Sequence, residues 1–397
     1  MSEWKKVKLG DYCEITSSKR CLASVRSKNG IPFFCSKEII CLDKGEDFEP
    51  TDFIPEELYN DIKAKYGVPT GGDLLLTTRG TNGIPYIYKP SDKFYFADGN
   101  LSWFKNFGKE LSPQYLYYWF KSPLGIHEVD AISKGTAQKA VPIDGLRRIV
   151  LLTPSLHTQN RIVVILSRYD SLIEHYQKQI KLLEEAAQRL YKEWFVDLHF
   201  PGHENTNIVD GVPEGWEKKK LHKIAEVVMG SSPKSEFYNN DKQGLPFHQG
   251  VGSYGTRFVD DNVYSTSITR LAEPNSILFS VRAPVGRLNI TKNKIIIGRG
   301  LAAMNHKDGF QSFLFYMLKE RFFMDNIIGN GSIFASISKV ELLDQEFIVP
   351  PMKTIKAFES LASKLDKKIQ GVDTQLHLLT EARDRLLPKL MSGEITI

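Results

Sequence analysis

Several absences narrow the functions open to this sequence. No apolar run approaches the roughly 18 to 20 residues that a bilayer-spanning helix needs, and Met1-Ser2-Glu3-Trp4 does not read as a signal peptide. We therefore expect a cytoplasmic protein with no membrane partner. The sequence also has no Gly-x-x-x-x-Gly-Lys-Ser/Thr phosphate loop, no His-Glu-x-x-His zinc motif and no Asn/Asp-Pro-Pro-aromatic motif of amino-methylating enzymes. We therefore expect neither ATP hydrolysis nor amino-methylation by this chain, and we find no catalytic residues to nominate from these motifs.

Cysteine is scarce and unevenly placed. All four cysteines, Cys13, Cys21, Cys35 and Cys41, lie within the first 41 residues. A structural zinc site usually shows a Cys-x-x-Cys knuckle, which the spacings of 8, 14 and 6 do not contain. We therefore predict free thiols, with neither a metal site nor a cofactor in this chain.

A large excess of positive charge is missing as well. The formal net charge is +5 over 397 residues, which is modest for a nucleic-acid binder. Any basic surface must therefore be local or shared with a partner. With 42% hydrophobic and 25% charged residues, the chain can bury more than one core, and its length favours two to three domains.

What the sequence does contain is a heptad pattern of apolar residues that occurs twice, the second copy 196 positions after the first. Each copy steps alternately by four and three residues, which places its apolar side chains on one stripe of a helix that packs against a partner helix. The first seam consists of Ile162, Leu166, Tyr169, Ile173, Tyr176, Ile180, Leu183, Ala187, Leu190 and Trp194. The second consists of Phe358, Ala362, Leu365, Ile369, Val372, Leu376, Leu379, Arg383, Leu386 and Leu390.

The two stripes can satisfy each other within one chain. About 33 residues at about 1.5 Å rise make each seam roughly 50 Å long, which is suited to holding two globules apart. Arg383 interrupts the second stripe at the position where the first has Ala187. We expect the Arg383 side chain to point outward or to meet Asp170 or Glu174.

The regions in front of the two helices also repeat, but more loosely. The matching pairs are Trp4 to Leu9 with Trp216 to Leu221, Ile31 to Phe33 with Leu245 to Phe247, Leu74 to Arg79 with Ile277 to Arg282, and Gly135-Thr136 with Gly331-Ser332. From this pattern we predict an α+β protein with two globular domains in tandem, each followed by a long helix, with the two helices packed against each other. The predicted boundaries are 1–153 and 214–350 for the globules, 154–196 and 351–397 for the helices with the C-terminal tail, and 197–213 for the linker.

These features, in the same order in both halves, resemble the specificity subunit of type I restriction-modification systems. The resemblance implies that each globule is a target recognition domain for one half of a split DNA sequence. It also implies that the two helices form an antiparallel coiled coil with pseudo-two-fold symmetry, which is the spacer between the globules. It further implies a non-catalytic scaffold for two modification subunits, which methylate adenine with S-adenosylmethionine, and for two restriction subunits, which use ATP and Mg²⁺. Double-stranded DNA is the expected ligand.

Reading base edges requires forked or bidentate donors on loops held by a rigid scaffold. In the first globule the candidate residues are Ser36, Lys37, Thr78, Arg79, Asn82, Lys134, Thr136, Gln138 and Lys139. In the second they are His248, Gln249, Tyr254, Arg257, Arg282, Lys294, Arg299 and Ser332. We expect Lys134 and Lys294 to contact phosphate rather than bases, and an arginine at a strand end can equally serve a structural ion pair.

Two other functions fit parts of the pattern. In one, the coiled coil makes the chain an adaptor whose globules bind proteins rather than DNA. In the other, the chain is the recognition subunit of a fused nuclease-methyltransferase system. A base preference in DNA binding would argue against the adaptor.

Overall fold

The computed structural model describes residues 4–135, 139–322 and 336–397. The chain forms two compact units, Met1–Gln177 with Thr374–Ile397, and Lys178–Asp373. We call them unit 1 and unit 2. Each unit contains one globule together with part of both long helices.

Unit 1 is a mixture of short strands and helices. Its strands are β1 Lys5–Lys8, β2 Glu14–Thr16, β3 Ile31–Phe34, β4 Phe53–Ile54, β5 Leu74–Thr77, β6 Pro85–Ile87, β7 Tyr95–Phe96, β8 Leu101–Lys105 and β9 Val150–Thr153. Its helices are α1 Ser36–Lys44, α2 Glu56–Tyr66, α3 Pro113–Lys121, α4 Pro123–Ile132 and α5 Ile143–Arg148, and α6 Leu156–Phe195 begins in it. Short 3-10 turns cover Leu9–Asp11 and Ala23–Val25.

The sheets of unit 1 bury apolar strands against its helices, the first sheet against α3 to α5 and the second against α1 and α2. An antiparallel sheet has the strand order β2-β8-β5-β6, with Leu74 opposite Phe104. A second sheet has the order β4-β3-β7, in which β3 and β7 are parallel. Strands β1 and β9 pair at the base of the globule, so the chain enters helix α6 directly beside its first strand. Every residue of β5 is buried, as expected for a strand covered on both faces.

Unit 2 contains the remaining elements. Its strands are β10 Ile208–Val209, β11 Val212–Pro213, β12 Glu217–Lys220, β13 Ala225–Met229, β14 Tyr238–Asn239, β15 Leu245–His248, β16 Tyr264–Ser265, β17 Leu271–Ala272, β18 Ile277–Ser280, β19 Leu288–Ile290, β20 Ile295–Ile297, β21 Leu301–His306 and β22 Glu346–Val349. Its helices are α7 Leu221–Ile224, α8 Gln311–Phe322 and α9 Lys339–Leu343, and α10 Met352–Ser392 begins in it. Short 3-10 turns cover His203–Asn205, Ser235–Phe237 and Val251–Ser253.

The sheets of unit 2 repeat those of unit 1. An antiparallel sheet has the order β13-β21-β18-β19, strands β15 and β20 are parallel neighbours, and β12 pairs with β22 in front of helix α10. Strand β18 is fully buried, like β5. The loose repeat seen in the sequence therefore reflects one fold built twice.

Each of the two long helices contains one of the predicted heptad seams. Helix α6 covers Leu156–Phe195, and helix α10 covers Met352–Ser392. None of the twenty predicted seam residues is exposed; each is buried or half-buried. The prediction of two long helices with one apolar stripe each is confirmed.

The helices run antiparallel within each unit. In unit 1, Ile162 and Leu166 near the start of α6 share a core with Leu387 and Leu390 near the end of α10. In unit 2, the ring of Phe358 near the start of α10 lies 6.0 Å from that of Trp194 and 5.1 Å from that of Phe195, centroid to centroid. Apolar contacts of this kind hold the two helices antiparallel in each unit.

In each unit, an aspartate on one of the long helices accepts a hydrogen bond from a tyrosine of the globule. In unit 1, the hydroxyl of Tyr118 on α3 donates to Asp170 Oδ2 on α6 at 2.6 Å. In unit 2, the hydroxyl of Tyr316 on α8 donates to Asp366 Oδ1 on α10 at 2.7 Å. Asp366 follows Asp170 by the same 196 positions that separate the helices. The globule is thus docked on its helix in the same way in both units.

Neither the 40-residue helix α6 nor any other helix of the described residues has a stretch apolar enough to cross a bilayer.

Candidate nucleic-acid interface

The loop after strand β5 is organised by the hydroxyl of Thr77, the last residue of that strand. Thr77 Oγ1 donates to the carbonyl of Thr81 at 2.7 Å and accepts from the N–H of Ile84 at 2.9 Å. The N–H of Gly83 donates to the carbonyl of Thr77 at 2.7 Å. These three bonds close a turn over residues 78–83 and present Arg79 as an exposed side chain at its start.

The loop after strand β18 has the same hydrogen bonds made by different residues. Ser280 Oγ donates to the carbonyl of Pro284 at 2.6 Å and accepts from the N–H of Arg287 at 2.8 Å. The N–H of Gly286 donates to the carbonyl of Ser280 at 3.0 Å. Arg282 therefore occupies the place in unit 2 that Arg79 occupies in unit 1, and it is exposed too.

Glycine is required at the end of both turns. Gly83 has φ +84° and Gly286 has φ +89°, which side chains with a Cβ rarely adopt. A Cβ at Gly83 would lie 3.3 Å from Val129 Cγ1, and one at Gly286 would lie 3.2 Å from Phe322 Cβ. The turn thus closes against a helix in each unit.

Distant segments join the loop of unit 1. The N–H of Val141 donates to the carbonyl of Thr78 at 2.9 Å, and the backbone of Ala140 pairs with both Arg79 and Lys134. Asn82 Nδ2 donates to the carbonyl of Lys139 at 3.2 Å, and Ser36 Oγ donates to the carbonyl of Arg79 at 3.0 Å. The structure thereby brings together residues that are up to 103 positions apart in the sequence. We call this group the first loop cluster: Ser36, Lys37, Arg79, Asn82, Lys134 and Lys139.

The first loop cluster is basic and accessible. Lys37, Arg79, Lys134 and Lys139 are all exposed. Lys139 Nζ lies 3.0 Å from Asp130 Oδ1. Because both side chains of this ion pair are more than half exposed, solvent screens their attraction. Thr78, by contrast, is buried and contributes its backbone only.

Unit 2 has a corresponding group, which we call the second loop cluster: Gln249, Arg282 and Arg299. The hydroxyl of Ser232 connects two of its members, because it donates to Gln249 Oε1 at 2.7 Å and accepts from the N–H of Arg299 at 3.1 Å. The loop of Arg282 is adjacent, since the N–H of Val281 donates to the carbonyl of Gly300 at 2.9 Å. All three side chains of the cluster are exposed.

The remaining candidates of unit 2 are held elsewhere. His248 is buried between Ser253 Oγ at 2.7 Å and Asp261 Oδ1 at 2.9 Å. The hydroxyl of Tyr254 is buried, and burial raises its pKa above the usual range. Lys294 forms an ion pair with Glu273 at 2.7 Å.

Arg257 is enclosed by the fold and cannot reach a ligand without leaving its partners. Its side chain is 2% exposed, its Nη2 lies 2.7 Å from Asp366 Oδ1, and its guanidinium stacks 3.6 Å from the ring centre of Phe315. We therefore exclude Arg257 from the candidate interface. It joins loop and helix instead, because it shares the carboxylate that receives the hydroxyl of Tyr316.

Three candidates, Thr136, Gln138 and Ser332, lie outside the described residues. Among the described residues, no group of three or more histidine, cysteine, aspartate or glutamate side chains is arranged to hold a metal ion. The four cysteines are free, and burial raises the pKa of Cys13 to about 12.

The sequence reasoning missed the hydroxyls of Thr77 and Ser280. The signal was present, because the segments Thr77 to Gly83 and Ser280 to Gly286 share a hydroxyl residue, an arginine two positions later and a glycine four positions after that. The repeat match between Leu74 to Arg79 and Ile277 to Arg282 ends at the arginine. It therefore does not include the glycine that completes the pattern.

Known proteins share this architecture. A family model described as the type I restriction modification DNA specificity domain matches residues 1–185 and again residues 213–376. The type I restriction enzyme MjaIX specificity subunit of Methanocaldococcus jannaschii is 30% identical over 302 residues, which is 72% of this chain and 69% of that protein. The HindI specificity subunit of Haemophilus influenzae is 21% identical over 482 residues and covers both chains fully.

A solved structure has the same fold. The type I restriction-modification system S subunit from M. genitalium superposes with a TM-score of 0.60 at 16% identity, over 98% of this chain and 96% of that one. Two tandem units with exposed arginines on matching strand-end loops define a protein with two DNA-specificity modules. The chain belongs to the type I restriction-modification DNA specificity family. The resemblance inferred from the sequence is confirmed.

Proposed function

We propose that this specificity subunit reads a bipartite DNA sequence, one half with each loop cluster. The observation that carries the proposal is the repeated strand-end loop. Its hydrogen bonds are the same in both units, whereas the side chains around its arginine differ. One scaffold presents Arg79 among exposed lysines in one unit and Arg282 with Gln249 in the other, which suits two unlike half-sites.

The chemistry of the clusters assigns their members to two tasks. Arginine forms bidentate bonds with the O6 and N7 of guanine, and asparagine or glutamine does so with the N6 and N7 of adenine. We therefore assign base contacts to Arg79, Gln249, Arg282 and Arg299. The amide of Asn82 instead holds the loop, because its Nδ2 donates to the carbonyl of Lys139 and its Oδ1 is buried. The exposed lysines of the first loop cluster are assigned to phosphates, which fix the position of the protein without reading sequence.

The long helices have the role of a spacer and a scaffold. A helix of 40 residues, such as α6, is about 60 Å long, so it determines how far apart two half-sites are read. On this proposal the chain assembles with two modification subunits and two restriction subunits in the cytoplasm. S-adenosylmethionine, ATP and Mg²⁺ belong to those subunits, and the specificity subunit itself is not an enzyme. The domain boundaries predicted from the sequence remain part of the proposal.

Selection from random duplex DNA tests this function. The chain is purified together with its modification subunits, and the retained DNA is sequenced. We expect two short, unlike blocks separated by a fixed gap. A single contiguous block would mean that only one loop cluster reads DNA. Absence of any enrichment would contradict the proposal and favour the protein-binding adaptor.

The family match does not favour the adaptor or a subunit of a fused nuclease-methyltransferase. Copurification of partners with this chain tests the fused system. A fused nuclease-methyltransferase would appear as one large partner chain, whereas a type I system supplies separate modification and restriction subunits.

A further inference from the structure

The hydroxyl at the end of β5 and that at the end of β18 are the most completely enclosed polar groups of the two loops. Thr77 has 0% and Ser280 has 1% of its surface exposed. Each hydroxyl uses its donor and its acceptor inside its own loop. A polar group is costly to bury, so a hydroxyl in a strand that is otherwise apolar calls for a specific reason.

The loop sequences show what the two units have in common. Thr77 to Gly83 and Ser280 to Gly286 agree only in the hydroxyl residue, the arginine and the glycine; the other four positions differ. The glycine closes the turn, and the hydroxyl connects the strand end before the arginine to the backbone that follows it. The three residues that both loops share therefore act together to hold the backbone of one arginine in place.

Fixing the backbone matters for the task assigned to that arginine. A bidentate contact to a base edge needs a guanidinium held in one orientation, whereas a phosphate contact tolerates a mobile one. Among the described residues, hydrogen bonds restrain Arg79 only at its backbone. Ser36 Oγ donates to its carbonyl, and the N–H of Val141 donates to the carbonyl of the preceding residue, Thr78. Without the hydroxyl, the N–H of Ile84 and the carbonyl of Thr81 lose their partner, and the loop can take other conformations.

We infer that Thr77 and Ser280 are positioning residues for base recognition, each acting through the arginine of its own unit and on one half-site only. The inference rests on the proposed function. It differs from a purely structural role in what it predicts: a structural hydroxyl supports the fold and thus binding to every sequence, whereas a positioning hydroxyl supports discrimination at one base position.

The test compares matched variants of the full-length chain in complex with its modification subunits. Thr77→Val removes the hydroxyl with little change of shape, and Thr77→Ser keeps it. Thr153→Val is the control, because Thr153 is a buried strand threonine of the same unit whose hydroxyl binds the carbonyl of Lys5, outside the loop. Binding is measured for the selected duplex and for duplexes with each base pair of both half-sites changed in turn.

The expected result is confined to one half-site. Thr77→Val lowers discrimination at one base position by about ten-fold and leaves the other half-site as it is in the wild type. Thr77→Ser and Thr153→Val keep full discrimination. Ser280→Ala has the corresponding effect in the opposite half-site. Because Thr77 acts through Arg79, the double variant Thr77→Val/Arg79→Ala discriminates no worse than Arg79→Ala alone.

Other outcomes overturn the inference. Equal weakening of all sequences by Thr77→Val, or the same loss in both half-sites, would make the hydroxyl structural. Full discrimination by both Thr77→Val and Ser280→Ala would exclude any role in reading. If the Thr77→Val chain does not assemble with the modification subunits, binding of Ser280→Ala to the same set of duplexes tests the inference. If the wild-type complex selects no bipartite sequence, the proposed function itself is contradicted. That outcome is distinguishable from failure of the inference about Thr77 and Ser280, because it is seen without any substitution.

Discussion

Arg383 on helix α10 forms an ion pair with Asp170 on helix α6, with 2.9 Å between Nη1 and Oδ1. Arg383 is the seam residue that replaces Ala187 of the first copy. Burial lowers its pKa, but the hydrogen bonds to Asp170 and Asp384 outweigh burial and raise the pKa above its usual value. The same Asp170 carboxylate receives the hydroxyl of Tyr118. One carboxylate thus joins a globule and both long helices within unit 1.

We predict that Asp170→Asn destabilises unit 1. The substitution removes the carboxylate that Arg383 contacts across the two helices and leaves it only the neighbouring Asp384. Arg383 and Asp170 are each only about a quarter exposed. The expected loss is about 1 to 3 kcal/mol, between the values for exposed and buried pairs. Urea denaturation measures the free energy of unfolding. The control is Glu381→Gln, which breaks the exposed pair of Glu381 with Arg385 on α10 and should cost less than about 0.5 kcal/mol. Equal losses would refute the special role of Asp170.

Much of the helical scaffold could be predicted from the sequence because heptad periodicity is a local signal. The pairing of Arg383 with Asp170 was one of the contacts expected from the interrupted stripe, and it is confirmed. The equivalent positions of Arg79 and Arg282 were also indicated by the repeat. Periodicity and repetition each require comparison only within the sequence itself, so no knowledge of the folded chain was needed.

The environment of Arg257 could not be predicted in this way. Its sequence neighbours, Gly255 and Thr256, suggest an exposed turn. Its burial depends on Asp366, which lies 109 positions away, and on the ring of Phe315. Long-range contacts of a single loop residue leave no periodic trace in the sequence.

The side chains that cap helices α3 and α8 were likewise not predictable from the sequence pattern, because they come from distant positions. In unit 1, Gln159 of α6 accepts from the N–H of Ser112 at the start of α3 at 2.9 Å. In unit 2, Glu359 of α10 accepts from the N–H of Phe313 near the start of α8 at 2.9 Å. Burial raises the pKa of Glu359, although these backbone N–H groups oppose the shift. The repeat offset points to Ile355 as the counterpart of Gln159, so the sequence alone misses a cap supplied one turn later.

The two strand-end arginines should each serve one half-site. Arg79→Ala removes a forked donor from the first loop cluster, and Arg282→Ala does so in the second. Each variant should lose about 1 to 3 kcal/mol of discrimination at one base position. Binding-site selection with both variants measures this, and each serves as the control for the other. An unchanged selected sequence for Arg79→Ala would remove that residue from the set of base readers.

Lys134 should contribute affinity without sequence preference. Its side chain is exposed in the first loop cluster, where an ammonium can neutralise one phosphate. Lys134→Ala should weaken binding to all duplexes alike and flatten the slope of log affinity against log salt by about one unit, because one fewer counterion is released. Titrations at several salt concentrations provide the slope. Lys93→Ala, which removes a lysine already paired with Glu56 at 2.9 Å, should leave the slope unchanged. A shift in base preference by Lys134→Ala would instead indicate a base contact.

His306 should make the stability of unit 2 depend on pH. Burial lowers the pKa of His306 below its usual 6.5, and Asp308 only partly opposes this. The ring is packed beside Phe310, and its Nδ1 accepts from the N–H of Asp308 at 3.0 Å. The unfolded chain therefore binds a proton at His306 more readily than the folded chain does. Stability from this group is fully present above pH 6.5 and falls as the pH is lowered from there toward the folded-state pKa.

Replacing this ring isolates its contribution. His306→Gln should reduce the loss of unfolding free energy between pH 7 and 5, and His175→Gln, at an exposed position on α6, should leave the wild-type loss in place. Thermal or urea unfolding at several pH values measures the difference. Because other carboxylates and histidines titrate in all three proteins, only the difference between the curves reports on His306. Identical pH dependence in His306→Gln and the wild type would mean that the buried ring is protonated as easily as in the unfolded chain.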